Sequence, residues 1–327
     1  MSTILVTGAG AVLGQGIIKC LRNAPVPYRI IGADPSSFAT GLYWVDEAVL
    51  IPMASAPEYP AAMEALLDRT RPDVVLVGTD VELRIFAQRR NEWEKRFGTH
   101  ILVSDSPTVE IADDKYLTAR FLEDHGIEHP RSALAEDQDA VTRLIERTGF
   151  PLVVKPRKGA RSIGVSRVNN IHELNRAVAD RGDLVVQQWA GPDDQEYTAG
   201  VLCFADKTFA QITLRRDLRD GNTYRAYTGN YPEANAYVKE IASVLRPHGP
   251  ANFQFRRGLD GIFRLFEINA RFSGTTPMRA LLGFNEVHLC IRHLLFGEPI
   301  LMPETQQGVV LRYLQEHFVP LASVLQA

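Results

Sequence analysis

A chain of 327 residues is too long for one small core and accommodates two or three domains. Its 45% apolar and 23% charged residues are ordinary for a globular protein, and a net charge of -3 gives no reason to expect nucleic acid or an anionic membrane as partner. Three widely spaced cysteines, Cys20, Cys203 and Cys290, lie in apolar runs and suit reduced core positions, and the eight histidines show no paired ligand spacing for zinc. The opening "MSTILVTGAG" lacks a basic stretch and its apolar run is too short for a secretory signal, so a cytoplasmic location is expected.

Residues 1 to 105 alternate short apolar strands with helical segments. Strands are expected at Ile4–Thr7, Arg29–Ala33, Val74–Gly78 and Ile101–Ser104, with helices near Gln15–Asn23, Pro60–Arg69 and Val81–Arg96. That alternation predicts a parallel, doubly wound sheet. The first turn is glycine-rich (Gly8, Gly10, Gly14), and Asp34 ends the second strand about 20 residues on, as in dinucleotide-binding folds. The spacing G-x-G-x-x-x-G departs from that fingerprint, and glycines that let a helix pack close on a strand explain it equally well. None of the ten tyrosines has a lysine four residues later, the pair that short-chain oxidoreductases with such a loop use as their acid.

A helix over Asp114–His125 follows, with Gly126 as its stop and Pro130 beyond it. It places Lys115 in its first turn, against the helix dipole; a solvated lysine or a functional one gives this pattern. Residues 131–189 predict four short strands and two helices, the second opening on an Asn170–Glu173 capping box and stopping at Gly182. Between the middle strands, "VVKPRKGARSIGV" puts four cations (Lys155, Arg157, Lys158 and Arg161) and two glycines into one loop. Basic charge beside glycine suits a phosphate clamp, although a solvated hairpin tip has the same composition.

The most informative stretch is "ANFQFRRGLDGIFRLFEINARFSG". Two alternating runs flank the turn Gly258–Gly261, a hairpin in which Gln254 faces Glu267 and Asn252 faces Asn269. Gln254, Glu267 and Asn269 then share one face with Arg271, while Phe266, Ile268 and Ala270 take the other. Oxygen ligands without His or Cys suit Mg²⁺, and an arginine beside them suits an anion that the metal also touches. Together they point to a nucleoside triphosphate; an ordinary half-buried strand also alternates in this way.

"FPLVVKPRKGARSIGV", "VVQQWAGPDDQEYTAGV" and "NFQF…FEINARFSG" resemble, in order and spacing, the ATP-grasp superfamily, and most of all the short proteins related to the carbamoyl phosphate synthetase large subunit. The resemblance implies an α/β and α+β chain: a Rossmann-like pre-ATP-grasp domain (1–105), a small α+β lid with a linker helix (106–189) and a larger C-terminal α+β lobe (190–327). In that family the N-terminal glycine turn generally binds no dinucleotide. The resemblance also implies the site. Lys115 and Lys155 correspond to lysines on the α- and β-phosphates, and the loop from Arg157 to Gly164, with Ser162 as a donor, to the lid over the triphosphate. Gln187, Gln188 and the Trp189 backbone fall at the adenine hinge, and Glu196 at the ribose hydroxyls. Gln254, Glu267 and Asn269 take the place of the Mg²⁺ ligands, and Arg271 that of the γ-phosphate arginine.

Many relatives have carboxylates where Gln187 and Gln254 stand, so a second Mg²⁺ is expected to bind weakly. Where relatives often have Pro this chain has Ala270. The implied activity is an ADP-forming carboxylate–amine ligase with ATP and Mg²⁺ (Mn²⁺ as the alternative metal), in which Lys155, Glu267 and Arg271 act on the transferring phosphoryl group. Its partners would be a small-molecule carboxylate and an amine, with a homodimer left open. Thr79 and Asp80, at a strand's C-terminal end, and Arg215, Arg216, Arg219 and Arg225 are candidates for binding the acceptor or the acyl phosphate. Rival readings are a nicotinamide-dependent oxidoreductase, which rests on the glycine turn alone, and a non-catalytic ATP-binding protein.

Overall fold

The computed structural model describes residues 1–159, 162–179, 182–205 and 209–325. The first sheet is parallel and joins β1 (Thr3–Thr7), β2 (Arg29–Asp34), β3 (Glu47–Leu50), β4 (Val74–Leu76) and β5 (His100–Leu102) in the order β3-β2-β1-β4-β5. Helices α1 (Val12–Arg22), α2 (Tyr59–Thr70) and α3 (Asp80–Phe97) cover it. Alternate residues of the central strand feed two cores: Ile4 and Val6 pack with Ile17 of α1, and Leu5 packs with Phe86 and Trp93 of α3. The doubly wound sheet expected from the sequence is present. Strand β3 was not anticipated, because it is short, half-buried and at the edge.

The glycine turn is spent on packing. Gly10 N donates to Asp34 Oδ2 (2.8 Å), and Ser36 N to Asp34 Oδ1 (2.9 Å), so the expected ribose acceptor already caps its own loops. A Cβ at Gly14 would lie 2.1 Å from the Gly8 carbonyl oxygen. Glycine is required there so that α1 can start against the β1 turn.

Helices α4 (Ser106–Asp113) and α5 (Lys115–Asp124) lead into an antiparallel sheet of β6 (Ser132–Leu134), β7 (Leu152–Pro156), β8 (Ser166–Val168) and β9 (Leu184–Gln188), ordered β6-β9-β7-β8. Helices α6 (Gln138–Thr148) and α7 (Ile171–Val178) pack on it. Asn170 caps α7 by accepting from Glu173 N (3.0 Å), as its spacing predicts, but α7 ends at Val178, ahead of Gly182. Helix α4 was missed; its eight residues sit directly against α5 with only Asp114 between them.

The third sheet is antiparallel and contains β10 (Glu196–Cys203), β11 (Phe209–Arg219), β12 (Asn222–Tyr227), β13 (Gly249–Arg257), β14 (Phe263–Asn269) and β15 (Val309–Leu311), ordered β14-β13-β10-β11-β12-β15. Helix α8 (Pro232–Leu245) closes a core of Val201, Phe253, Phe255 and Ile268. Helices α9 (Thr276–Leu281) and α10 (Glu286–Phe296) pack against α1 and tie this sheet to the first. No helix among the described residues is long and apolar enough to cross a membrane.

The β13–β14 hairpin has the anticipated register, with Gln254 opposite Glu267 and Asn252 opposite Asn269. One expectation is corrected. A bulge follows Gln254, so that Phe255 faces Leu265 and Phe266 is the extra residue. Ile268 and Ala270 enter the core as expected, whereas Phe266 is turned from it and lines the cavity described below.

Gly14→Ala should lower folding stability by about 1–3 kcal/mol through overpacking, measured as the midpoint of urea unfolding; an unchanged midpoint would contradict the packing role.

Candidate functional site

Lys155 lies on β7 and is 4% exposed. Its Nζ donates to Oε1 of Gln187 on the adjacent β9 (2.7 Å) and to the Phe266 carbonyl (3.2 Å), which the β14 bulge delivers. Both partners are neutral. Burial above all, and then repulsion from Lys115, lower the Lys155 pKa from 10.5 to about 7, against the attraction of Glu267. Gln187 is fixed in turn by donating from Nε2 to Ser132 Oγ (2.8 Å).

Lys115 is the first residue of α5, and its Nζ donates to the Gly159 carbonyl (2.7 Å). Burial lowers its pKa, opposed by Glu267 and by three nearby aspartates. Asp114 caps α5 by accepting from Tyr116 N (2.9 Å) and also receives the Arg157 guanidinium (Nη2–Oδ2 2.6 Å). The same carboxylate therefore sets the start of α5 and anchors the basic loop. This corrects the clamp expected from composition: Arg157 is committed to Asp114, and Lys158 lies 3.4 Å from Asp113. Ser162, with φ 55°, lines the cavity, while Arg161 lies outside the described residues.

Glu196 is 2% exposed and held by two arginines. Arg216 reaches Oε1 through Nε (2.9 Å) and Nη2 (2.6 Å), and Arg256 reaches Oε2 through Nε (2.8 Å) and Nη2 (2.6 Å). Arg216 Nη2 also donates to Gln254 Oε1 at 2.5 Å. The sequence reading placed Arg216 only as an acceptor-site candidate and missed Arg256. Their signal was faint: alternating positions on β11 and β13 that become neighbours only once β10 inserts between those strands.

Glu267, Asn269 and Arg271 share a face as expected. Asn269 Nδ2 donates to Glu267 Oε1 (3.2 Å), and Arg271 Nη2 to Asn269 Oδ1 (2.7 Å). Arg271 also forks onto Asp80 of α3, through Nε (2.6 Å) and Nη2 (3.0 Å), joining the first sheet to the third. Asn252 is turned away into a buried network, where its Oδ1 accepts from Thr198 (2.9 Å) and Arg279 (3.1 Å). Thr79 donates to buried Glu82 (2.8 Å). Arg215 pairs with Asp217 (2.9 Å), which Arg225 approaches at 3.7 Å, and Arg219 lies over Tyr224; none of these three lines the cavity.

A cavity of about 300 Å³ gathers these groups between the second and third sheets. Lys115, Lys155, Gln187, Glu196, Gln254 and Glu267 line it, and Phe266 and Trp189 form apolar walls. Arg167 stacks over Trp189, 4.7 Å from its ring centre, and Gln188 Oε1 accepts from Arg131 N (3.2 Å). A second cavity of about 550 Å³ shares Lys115, Lys158, Gly159 and Glu267 with the first and continues to Arg271, Asp80 and Arg84.

The donor set fits Mg²⁺ only in company. Glu267, Asn269 and Gln254 offer hard oxygens, but among the described residues no group of three or more His, Cys, Asp or Glu could hold a metal. One carboxylate with two amides matches Mg²⁺ bound jointly with phosphate oxygens.

Two family models match the chain: a RimK-like ATP-grasp domain over residues 112–240, and "ATP-grasp in the biosynthetic pathway with Ter operon" over residues 183–317. Both fall on the elements that build the cavity. Together the two matches take in residues 112–317, and the chain has the ATP-grasp fold. Carbamoyl phosphate synthase large chains are similar to it, with 25% identity over 309 residues for the arginine-specific mitochondrial chain of Neurospora crassa and 23% over 302 for that of Thermomicrobium roseum. Each match takes in 84% of this chain but only 26% and 27% of the relative, so this chain spans about a quarter of their length. Among solved structures, N5-carboxyaminoimidazole synthetase from Staphylococcus aureus complexed with ADP superposes with a TM-score of 0.74 at 16% identity, over 95% of this chain and 80% of that one. The biotin carboxylase domain dimer of Hydrogenobacter thermophilus 2-oxoglutarate carboxylase gives 0.75 at 16% identity (94% and 73%), and L-amino acid ligase from Bacillus licheniformis 0.67 at 21% (92% and 75%). At these identities the likeness establishes the fold.

With its pKa near 7, Lys155 would make the binding of a phosphate in this cavity proton-linked. Below pH 7 its ammonium is already formed; above pH 7 a bound phosphate must draw a proton onto it, so affinity falls as pH rises, by at most about tenfold per pH unit. Calorimetry of ATP binding at pH 8 in buffers of different ionisation enthalpy should show net proton uptake. Binding with no proton uptake and no pH dependence between pH 7.5 and 9 would contradict it.

Proposed function

We propose that this chain is an ATP- and Mg²⁺-dependent carboxylate–amine ligase that acts on small molecules and releases ADP. The observation that carries the reading is the continuity of the two cavities across Glu267: buried cations on one side suit a triphosphate, and the space beyond, with Arg271 on its wall, suits an acceptor carboxylate. The ligases among the structural neighbours support it, and the acceptor's identity is left open.

In this reading Gln187 and the Trp189 backbone take the adenine edge, Glu196 the ribose hydroxyls, and Lys115 and Lys155 the α- and β-phosphates. Ser162 and the loop around it cover the triphosphate. Glu267 and Asn269, with Gln254 beside them, would hold Mg²⁺ jointly with phosphate oxygens, and the ion would supply charge neutralisation there. Arg271 exchanges Asp80 for the γ-phosphoryl oxygens. The acceptor carboxylate attacks phosphorus in line, its O–P bond forming as the bond to the bridging oxygen of ADP breaks. The amine then attacks the acyl carbon, loses a proton and displaces inorganic phosphate. No protein nucleophile is required; positioning and charge neutralisation carry the reaction.

The oxidoreductase reading is weakened because Asp34 and the glycine turn satisfy each other. A non-catalytic ATP-binding protein would need neither Arg271 nor the second cavity.

ATP with Mg²⁺ should raise the melting temperature and NADPH should not; a hundredfold excess over Kd corresponds to about 2.7 kcal/mol. Pools of amino acids and sugar acids then identify the acceptor by ADP release, and Glu267→Gln should cut that turnover by about a hundredfold. Stabilisation by NADPH alone, or normal turnover in Glu267→Gln, would overturn the proposal.

A further inference from the structure

Arg216 has no part in the reading above, yet it sits at the centre of the cavity wall. It is 6% exposed and spans Glu196 and Gln254 with a single nitrogen, Nη2, at 2.6 and 2.5 Å. Glu196 is shared with Arg256, so two guanidinium groups face one buried carboxylate. Arg256 also reaches Asp193, but that carboxylate is 93% exposed and well screened by water. The wall between Glu196 and Gln254 therefore keeps a fixed positive charge.

We propose that Arg216 replaces a second metal ion: the bound nucleotide carries one tightly held divalent cation, at Glu267 and Asn269, and the Arg216 guanidinium supplies fixed positive charge on the Gln254 side. This rests on the ligase reading of the same cavity. Three observations converge. Gln254 is a neutral amide, and its oxygen already accepts a charge-assisted hydrogen bond. A dication on that same oxygen, at about 2.1 Å, would lie within roughly 5 Å of the guanidinium and be repelled by it; Asn269 Oδ1 likewise accepts from Arg271 (2.7 Å), but in the ligase reading that arginine turns to the γ-phosphoryl oxygens. Glu267 is then the one carboxylate among the three proposed ligands, enough for one Mg²⁺ shared with phosphate and too little for two. Arg216 cannot move aside readily, because Glu196 grips it through Nε and Nη2, and its Nη1 donates to Thr223 Oγ1 at 3.3 Å.

The test counts bound Mn²⁺ by electron paramagnetic resonance in the presence of a saturating non-hydrolysable ATP analogue, whose own binding is measured in parallel. The wild-type chain should hold one Mn²⁺ tightly. Gln254→Glu, which offers a second carboxylate, should tighten the next Mn²⁺ by about tenfold or more. Arg216→Lys, which keeps a cation but cannot fork between Glu196 and Gln254, should also admit a second ion more readily than wild type, though less than Gln254→Glu. Two Mn²⁺ of similar affinity in the wild-type complex would overturn the proposal, as would a Gln254→Glu complex that stays at one. Failure of the analogue to bind would instead overturn the ligase reading beneath it.

Discussion

The Lys155 ammonium is shut away from water with two neutral oxygens as partners, those of Gln187 and the Phe266 carbonyl. A buried cation without a counter-charge is unfavourable, and the chain meets that cost by letting the pKa fall to about 7. Structural lysines are not normally placed so. The arrangement becomes favourable when an anion fills the cavity, because the group is then charged, paired and out of competition with solvent. The remainder of the site is arranged around this unmet charge.

Three pieces of local structure hold it in place. The β14 bulge turns the Phe266 carbonyl onto Lys155 and leaves Glu267 pointing into the same cavity. Asp114 couples the start of α5 to the basic loop, so that Lys115 and Gly159 arrive together. The pairing of Arg271 with Asp80 brings the first sheet against the end of β14, making the doubly wound unit a wall of the second cavity. Behind that wall, fully buried Arg279 pairs with Glu286 (2.7 Å) and bonds the loop that follows Arg271 through Ser273 (3.0 Å) and Thr275 (2.6 Å). Removing either partner of such a pair leaves an uncompensated buried charge.

Much of this was legible in the sequence because it is local. Alternation about the Gly258–Gly261 turn sets the facing of Gln254 and Glu267, and the capping signal of α7 involves residues three positions apart. What escaped is non-local or mimics something ordinary. Phe266 is apolar like its core-facing neighbours, and a bulge leaves no mark on composition. Arg216 and Arg256 look like solvated strand residues until β10 brings both onto Glu196. Arg157 looks like a phosphate ligand until Asp114, 43 residues earlier, claims it. The glycine turn was ambiguous for the opposite reason: the same glycines serve phosphate approach and helix packing, and Asp34 decides for packing.

The claim most exposed to test is that the buried lysine, rather than the basic loop as a whole, holds the nucleotide. Lys155→Met removes the ammonium but keeps its length and burial, so folding stability should hold or rise. Lys158→Met removes a cation that is 59% exposed and already near Asp113. Titration with a fluorescent ATP analogue in Mg²⁺ at pH 7 should show at least a tenfold loss of affinity for Lys155→Met, about 1.4 kcal/mol, and less than about a threefold loss for Lys158→Met. Equal losses for the two variants, or undiminished binding by a folded Lys155→Met protein, would contradict the account.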